Sequence, residues 1–132
     1  MTASQTAQEF VRAINAHDTA RIISLMSAGF VFMDSLGNKA ARPAIDAGWQ
    51  HYFDMVPDYW IRVDRLVTEG NTVILLGTAG GTYVPKGGKM TPENKWETPA
   101  AWRALIQDGK ISEWQIYSDN EPIREKMRAA GH

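Results

Sequence analysis

Hydrophobic periodicity changes once along this chain, at Pro57. Upstream, apolar residues recur at helical spacing; downstream, they alternate over runs of strand length. Helices followed by a succession of strands define an α+β fold, because each layer must bury its apolar face against the other. Ala7, Phe10, Val11 and Ile14 fall at i, i+3, i+4 and i+7, with Thr2 and Gln5 at capping-box spacing just ahead of them. The "AHD" at 16–18 breaks that helix, and Asp18 can cap a second, short one carrying Ile22, Ile23, Leu25 and Met26, which Gly29 ends. Phe30-Val31-Phe32-Met33 predicts a short buried strand leading into Asp34. Pro43 suits the first turn of a third helix, with Ile45, Trp49, Tyr52, Phe53 and Val56 on one face, and Pro57 stops it.

Beyond Pro57, residues 59–68, 72–84, 96–107 and 110–118 read as strands, with hairpin turns at "EGN" (69–71) and "DG" (108–109). "VPKGGKMTPENK" (84–95) carries two Pro, two Gly and three Lys and reads as a mobile hairpin tip or flap. "NEPIREKMRAA" predicts a terminal helix or a docking tail. The pattern contains no repeat and no linker, so residues 1–132 are expected to form one domain, with helices on one face of a curved sheet that can enclose a cone-shaped cavity.

Charge narrows the partners. The 14 basic and 15 acidic residues give a net charge of -1, which argues against nucleic acid or an anionic membrane as a bulk electrostatic partner. No cysteine is present, which rules out thiol chemistry and Cys-based metal sites. His17, His51 and His132 lack ligand spacing, so no metal and no cofactor are expected. The N-terminus lacks the pattern of a secretory signal and no apolar run has membrane-spanning length, so a cytoplasmic location is expected. Five Trp, four Tyr and four Phe fit either a large core or a pocket for a flat, apolar ligand.

Read in order, "FVRAINAHDTARIISLM", "FVFMDSLG", "AIDAGWQHYF", "PDYWIRVDRLVTEGNTVILLGTAGGTY" and "DGKISEWQIYSD" resemble the nuclear transport factor 2-like superfamily. Within it the nearest likeness is to the SnoaL-like polyketide cyclases and ketosteroid isomerase-like proteins. The resemblance covers roughly residues 8–120. It implies a cone-shaped α+β barrel, with three N-terminal helices packed on a curved, mostly antiparallel sheet around a pocket. It also implies a homodimer formed through the sheet. In ketosteroid isomerases a general-base Asp ends the first strand, and that position falls on Asp34 here. Both oxyanion donors of that pattern are missing: the oxyanion Tyr of the first helix is replaced by Phe10, and the oxyanion Asp, counted back from "DGKI", falls on Ala101. The last-strand Asp of the epoxide hydrolases falls near Ile116.

Two readings of Asp34 follow. Walled by Phe30 and Phe32, its carboxyl would be desolvated, raised in pKa and suited to accept a proton. Alternatively it opens the "DSLGN" turn, bonded to nearby amides. Arg103 shares a strand face with Ala101, which by resemblance looks into the cavity, where its guanidinium would hold an anion or pair with Asp34. The face formed by Phe10 and Ile14, with Phe32, Trp49, Tyr52 and Phe53, supplies candidate substrate contacts. So does the face of Trp114 and Ile116 with Ala101. Tyr117 and Asp119 fall on the opposite face. Trp60 and Trp102 are expected on an apolar outer face at the dimer contact.

The main expectation is a cofactor-independent enzyme: a proton-transfer isomerase, cyclase or dehydratase acting on an apolar carbonyl or cyclic small molecule. The alternatives are a non-catalytic ligand-binding or dimerisation module, and an epoxide hydrolase-like enzyme.

Overall fold

A computed structural model of the chain describes residues 1–131. The elements are α1 (Ala3–Asn15), α2 (Thr19–Leu25), β1 (Met26–Met33), β2 (Lys39–Ala41), α3 (Ala44–Met55), β3 (Trp60–Glu69), β4 (Thr72–Thr82), a 3-10 turn (Pro92–Asn94), β5 (Lys95–Gln107), β6 (Lys110–Ser118) and α4 (Glu121–Ala129). Helix-then-strand order is therefore correct, and the C-terminal segment takes the helical one of its two expected forms, so the helices are not all N-terminal. The short strand β2 was not anticipated, and two bounds differ. The second helix ends at Leu25 rather than Gly29, and the first strand starts at Met26, not Phe30.

The helix starts follow from local chemistry. Thr2 Oγ1 accepts from the Gln5 amide (3.2 Å), and the Gln5 side chain accepts in return from the Thr2 amide (2.8 Å). Such a cap stabilises a helix by about 1 kcal/mol. Asp18 Oδ1 accepts from the Arg21 amide (3.0 Å) at the start of α2. Between the two helices His17 takes a positive φ of 53°, which turns the chain sharply. The hairpin at 108–109 has positive φ at both Asp108 (51°) and Gly109 (73°), as a tight turn between twisted strands requires.

The six strands form one unclosed, curved sheet in the order β2-β1-β6-β5-β4-β3. All neighbours are antiparallel except β1 and β6, which run parallel with Phe32 opposite Trp114. In β5, Trp96, Thr98, Ala100, Trp102, Ala104 and Ile106 are buried, while the residues between them are half-buried or exposed. The buried face meets α1 and α3. Phe10, with no exposed surface, is the hub: its ring lies 4.8 Å from Trp114, 5.7 Å from Trp49 and 6.3 Å from Phe30. A bulge in β3 between Val63 and Arg65 sets the Arg62 carbonyl directly over Gly77 of β4. That close approach accounts for glycine in the "GTAGG" run, which lies in a strand and opens no helix.

The 84–95 segment joins β4 to β5 and contains the 3-10 turn. Its base is closed by the Tyr83 amide on the Asn94 carbonyl (3.0 Å). No described helix is long and apolar enough to cross a membrane.

Candidate functional site

Between the helices and the inner sheet face lies a cavity of about 290 Å³. Ile14 of α1, Ile45, Gly48, Trp49 and Tyr52 of α3, and Phe32 of β1 form one side. Trp102, Trp114 and Ile116 of the sheet form the other, with Tyr59, Asp34 and Asn120 completing the wall. The spacing of Trp49 and Tyr52 on α3, three residues apart, sets both rings on one helix face. Trp102, Trp114 and Ile116 point the same way because Trp102 pairs with Ile116 and Ala104 with Trp114.

Asp34 stands at the edge of this cavity, and it is also a turn residue. Its Oδ1 accepts from the amides of Leu36 and Asn38 (both 2.9 Å), and Oδ2 accepts from the Asn38 side-chain amide (3.0 Å). Desolvation pushes its carboxyl up. The hydrogen bonds from Asn38 and Leu36, together with the positive charge of Arg124 on α4, outweigh it and hold the pKa below the ordinary carboxylate value. This corrects the expected direction: the turn amides, absent from an argument about neighbouring rings, dominate. Asp34 is thus an ionised carboxylate at neutral pH, and a weaker base than a desolvated one.

Arg103 is not in the cavity. It lies on the outer sheet face, where its guanidinium donates to Glu113 and to Gln115 Oε1 (3.2 Å). Gln115 also accepts from the Tyr117 hydroxyl (2.9 Å). Ala101 sits on the same outer face, next to Tyr117 and Leu76 in register. The physical reason is the β5 alternation. Its even positions carry no charge and bury two Trp, while the odd ones carry Lys95, Glu97 and Arg103; burying the odd face would strip a guanidinium of water. That pattern could have been read from the sequence. Trp102, expected on the outer face, is 1% exposed and lines the cavity. Trp60 does lie outside, half-buried over Gly80 with the Arg62 guanidinium 5.9 Å from its ring centre.

Phe10 and Phe53 are core rather than lining. Phe53 stacks on His17 at 4.2 Å and 6°, and His17 Nε2 donates to the Tyr59 carbonyl (2.7 Å). His51 is exposed, and His132 lies outside the described residues. No group of three or more metal-ligating side chains gathers among the described residues. Tyr117 is exposed, and Asp119 accepts from the Glu121 amide at the start of α4 (2.9 Å).

Four groups escaped the sequence reading. Trp102 had the parity signal just given. Tyr59 follows the helix-stopping Pro57, where no periodicity assigns a face. Asn120 and Arg124 belong to the C-terminal segment and carry no local signal. Asn120 lines the cavity and accepts from Ser118 Oγ (3.3 Å), while Ser35 Oγ accepts from the Ser118 amide (3.2 Å), so the Asp34 turn is tied to the end of β6.

Tyr52 and Tyr59 meet edge to face, 4.9 Å apart at 83°. Burial pushes both phenols far above their ordinary range, and Tyr52 adds to the effect on Tyr59. Both are therefore neutral donors throughout physiological pH. The indole N–H groups of Trp49 and Trp96 are buried without a hydrogen-bond partner. An orphaned buried donor costs about 1–3 kcal/mol.

Residues 7–114 match the family model described as SnoaL-like domain. Among curated proteins none matches the chain. Solved structures of the same fold include a candidate SnoaL-like polyketide cyclase from Shewanella denitrificans, at 16% identity and a TM-score of 0.81, with 96% of this chain and 97% of that one covered. IdmH, a candidate polyketide cyclase from Streptomyces antibioticus, is 21% identical with a TM-score of 0.79, covering 97% and 99% of the two chains. A Catenulispora acidiphila protein with the ketosteroid isomerase-like fold, in complex with trimethylamine, is 16% identical with a TM-score of 0.78, covering 95% and 93%. At these identities the likeness shows a shared fold.

Proposed function

Because the chain belongs to the SnoaL-like domain family, we propose that it is a cofactor-independent enzyme that moves a proton on a flat, apolar, carbonyl-bearing small molecule. One observation carries this reading: Asp34 is the sole carboxylate among the residues lining an otherwise aromatic and aliphatic cavity. A carboxylate offers about four acceptor sites and the turn occupies three, so one remains for a substrate C–H or O–H. Isomerisation, cyclisation and dehydration all begin with such a transfer. The same domain is proposed to span the whole chain and to act in the cytoplasm.

The test is exchange of α-hydrogens for deuterium in a panel of cyclic ketones, followed by NMR. Asp34→Asn is nearly isosteric and should slow exchange by about 100-fold or more. Full retention of exchange in that variant would show that Asp34 is not the base.

A second reading, a binding module without catalysis, has its own support: Asp34's three turn bonds and lowered pKa are what a structural turn residue needs. Ligands that bind without any exchange would favour it. Dimerisation through the outer sheet face suits either reading. Leu76 (40% exposed) and Tyr117 (48%) lie there, with Val67 on the neighbouring edge strand. Leu76→Glu should then shift light scattering toward the 14.7 kDa monomer; scattering by the unaltered protein at that mass at high concentration would refute the dimer.

A further inference from the structure

We propose that the Tyr52 and Tyr59 hydroxyls form a subsite for a neutral acceptor oxygen, a ketone or quinone carbonyl, on the cavity's ligand. This rests on the reading that the cavity takes a small molecule, and it adds which end of that molecule is held and by what.

Around this corner the backbone groups and Asp58 are paired, while the indole N–H groups of Trp49 and Trp96 are not. The Tyr59 carbonyl accepts from His17. The amide and carbonyl of Ile61 are both bonded to the Asn15 side chain, at 2.8 and 2.9 Å. Asp58 accepts from the Thr82 amide (2.6 Å) and hydroxyl (2.7 Å). Neither the Tyr52 nor the Tyr59 hydroxyl has a hydrogen-bond partner among the described residues, although both side chains line the cavity. Neither oxygen is among the fully buried unpaired atoms, so both are open to the cavity, where a ligand can reach them. The two rings come from opposite ends of one short connection, the last turn of α3 and the segment before β3, and meet edge to face. They bring two donors to one part of the wall.

The chemistry of the wall selects the acceptor. No Lys, Arg or His lines the cavity, and Asp34 supplies a negative charge. A carboxylate or phosphate would be desolvated there without a counter-ion. An organic cation would suit the aromatic faces and Asp34, but it carries no acceptor and would leave both hydroxyls orphaned. A neutral carbonyl on a flat ring system meets both demands: apolar burial and two donors.

The probes are 1-tetralone, its hydrocarbon tetralin, and phenyltrimethylammonium, with binding followed by quenching of the cavity tryptophans and the bound ketone's C=O stretch by infrared. Each Tyr→Phe exchange removes only an oxygen that the fold does not use. Tyr52→Phe and Tyr59→Phe should each weaken tetralone about 2- to 12-fold, leave tetralin unchanged, and shift the C=O stretch back toward its value in apolar solvent. Unchanged tetralone affinity and stretch in the double variant would overturn the subsite, as would tighter binding of the ammonium than of the ketone. Failure of both tetralone and tetralin to bind the unaltered protein would instead overturn the small-molecule reading of the cavity, and the subsite with it.

Discussion

Gly77→Ala tests whether the β3 bulge is as tightly seated on β4 as the backbone geometry says. A Cβ built at Gly77 would lie 1.7 Å from the Arg62 carbonyl oxygen, 2.8 Å from its carbon and 3.1 Å from the Val63 Cα. Carbon and oxygen approach no closer than about 3.3 Å even in weak hydrogen bonds, so backbone must move by roughly 1.6 Å. No flexible side chain can absorb this, because the obstruction is the neighbouring strand itself. Overpacking alone costs about 1–3 kcal/mol. The displacement also strains the pairing of Trp60, Ile61, Arg62 and Val63 with Gly80, Ala79, Thr78 and Gly77, at about 0.5–1.5 kcal/mol per bond lost. A total near 4 kcal/mol is a large share of a typical folding free energy. With an m-value of about 2 kcal/mol/M, the urea midpoint by far-UV circular dichroism should fall by roughly 2 M. Gly29→Ala in β1 is the control: its Cβ would meet nothing within 4 Å, and its unfolding free energy should stay within about 0.5 kcal/mol of the parent. Gly77→Ala unfolding within 1 kcal/mol of the parent (about the error of such comparisons) would refute the close seating of the bulge.

Other perturbations separate local effects. Asn15→Ala removes two bonds from Asn15 to the backbone of Ile61 in edge strand β3 and should lower stability by about 1–3 kcal/mol in the same assay. Phe10→Tyr places a hydroxyl in the fully buried ring cluster of Trp114, Trp49 and Phe30; thermal unfolding should register a loss of about 1–3 kcal/mol, and an unchanged midpoint would mean that the cavity reaches that ring. Asp34's folded pKa is lowered, so the stability it contributes is present above its ordinary value of 3.8 and lost as pH falls through the folded value. Asp34→Asn should therefore lower stability at neutral pH and flatten the acid limb of the stability–pH curve below about pH 4, so that variant and parent converge as pH falls, which denaturation at several pH values would show.

Much of the fold was legible because its determinants are local. The Thr2–Gln5 box, the Asp18 cap and the Asp-Gly hairpin each act over a few residues, and each predicts an element that is there. The α2–β1 junction was not, because Met26 can serve equally as the last helical or first strand residue and only its pairing with Ile111, far along the chain, decides. The same holds for the site. Trp49 and Tyr52 reach the cavity because helix geometry alone aligns them. Arg103 and Ala101 were placed one face over: alternation makes them share a face, but which face is buried depends on which half of β5 best loses its water, and a one-residue count inverts the answer. Asp34 shows the limit most plainly, since its position at the strand end was readable while its protonation depends on Asn38, Leu36 and Arg124 together.

The parallel seam between β1 and β6 also governs when this sheet can exist. β6 is the last strand made, yet it lies between β1 and β5. At ribosomal rates of about 5–20 residues per second, the chain between Met33 and Lys110 takes roughly 4–15 s to emerge. For that interval β1 and β2 form a detached ribbon whose inner face has no sheet to join, too small to be stable alone. The nascent chain must keep that ribbon soluble until its C-terminal third arrives, so early termination should yield not a smaller folded unit but two unjoined sheet fragments open to chaperones and proteases.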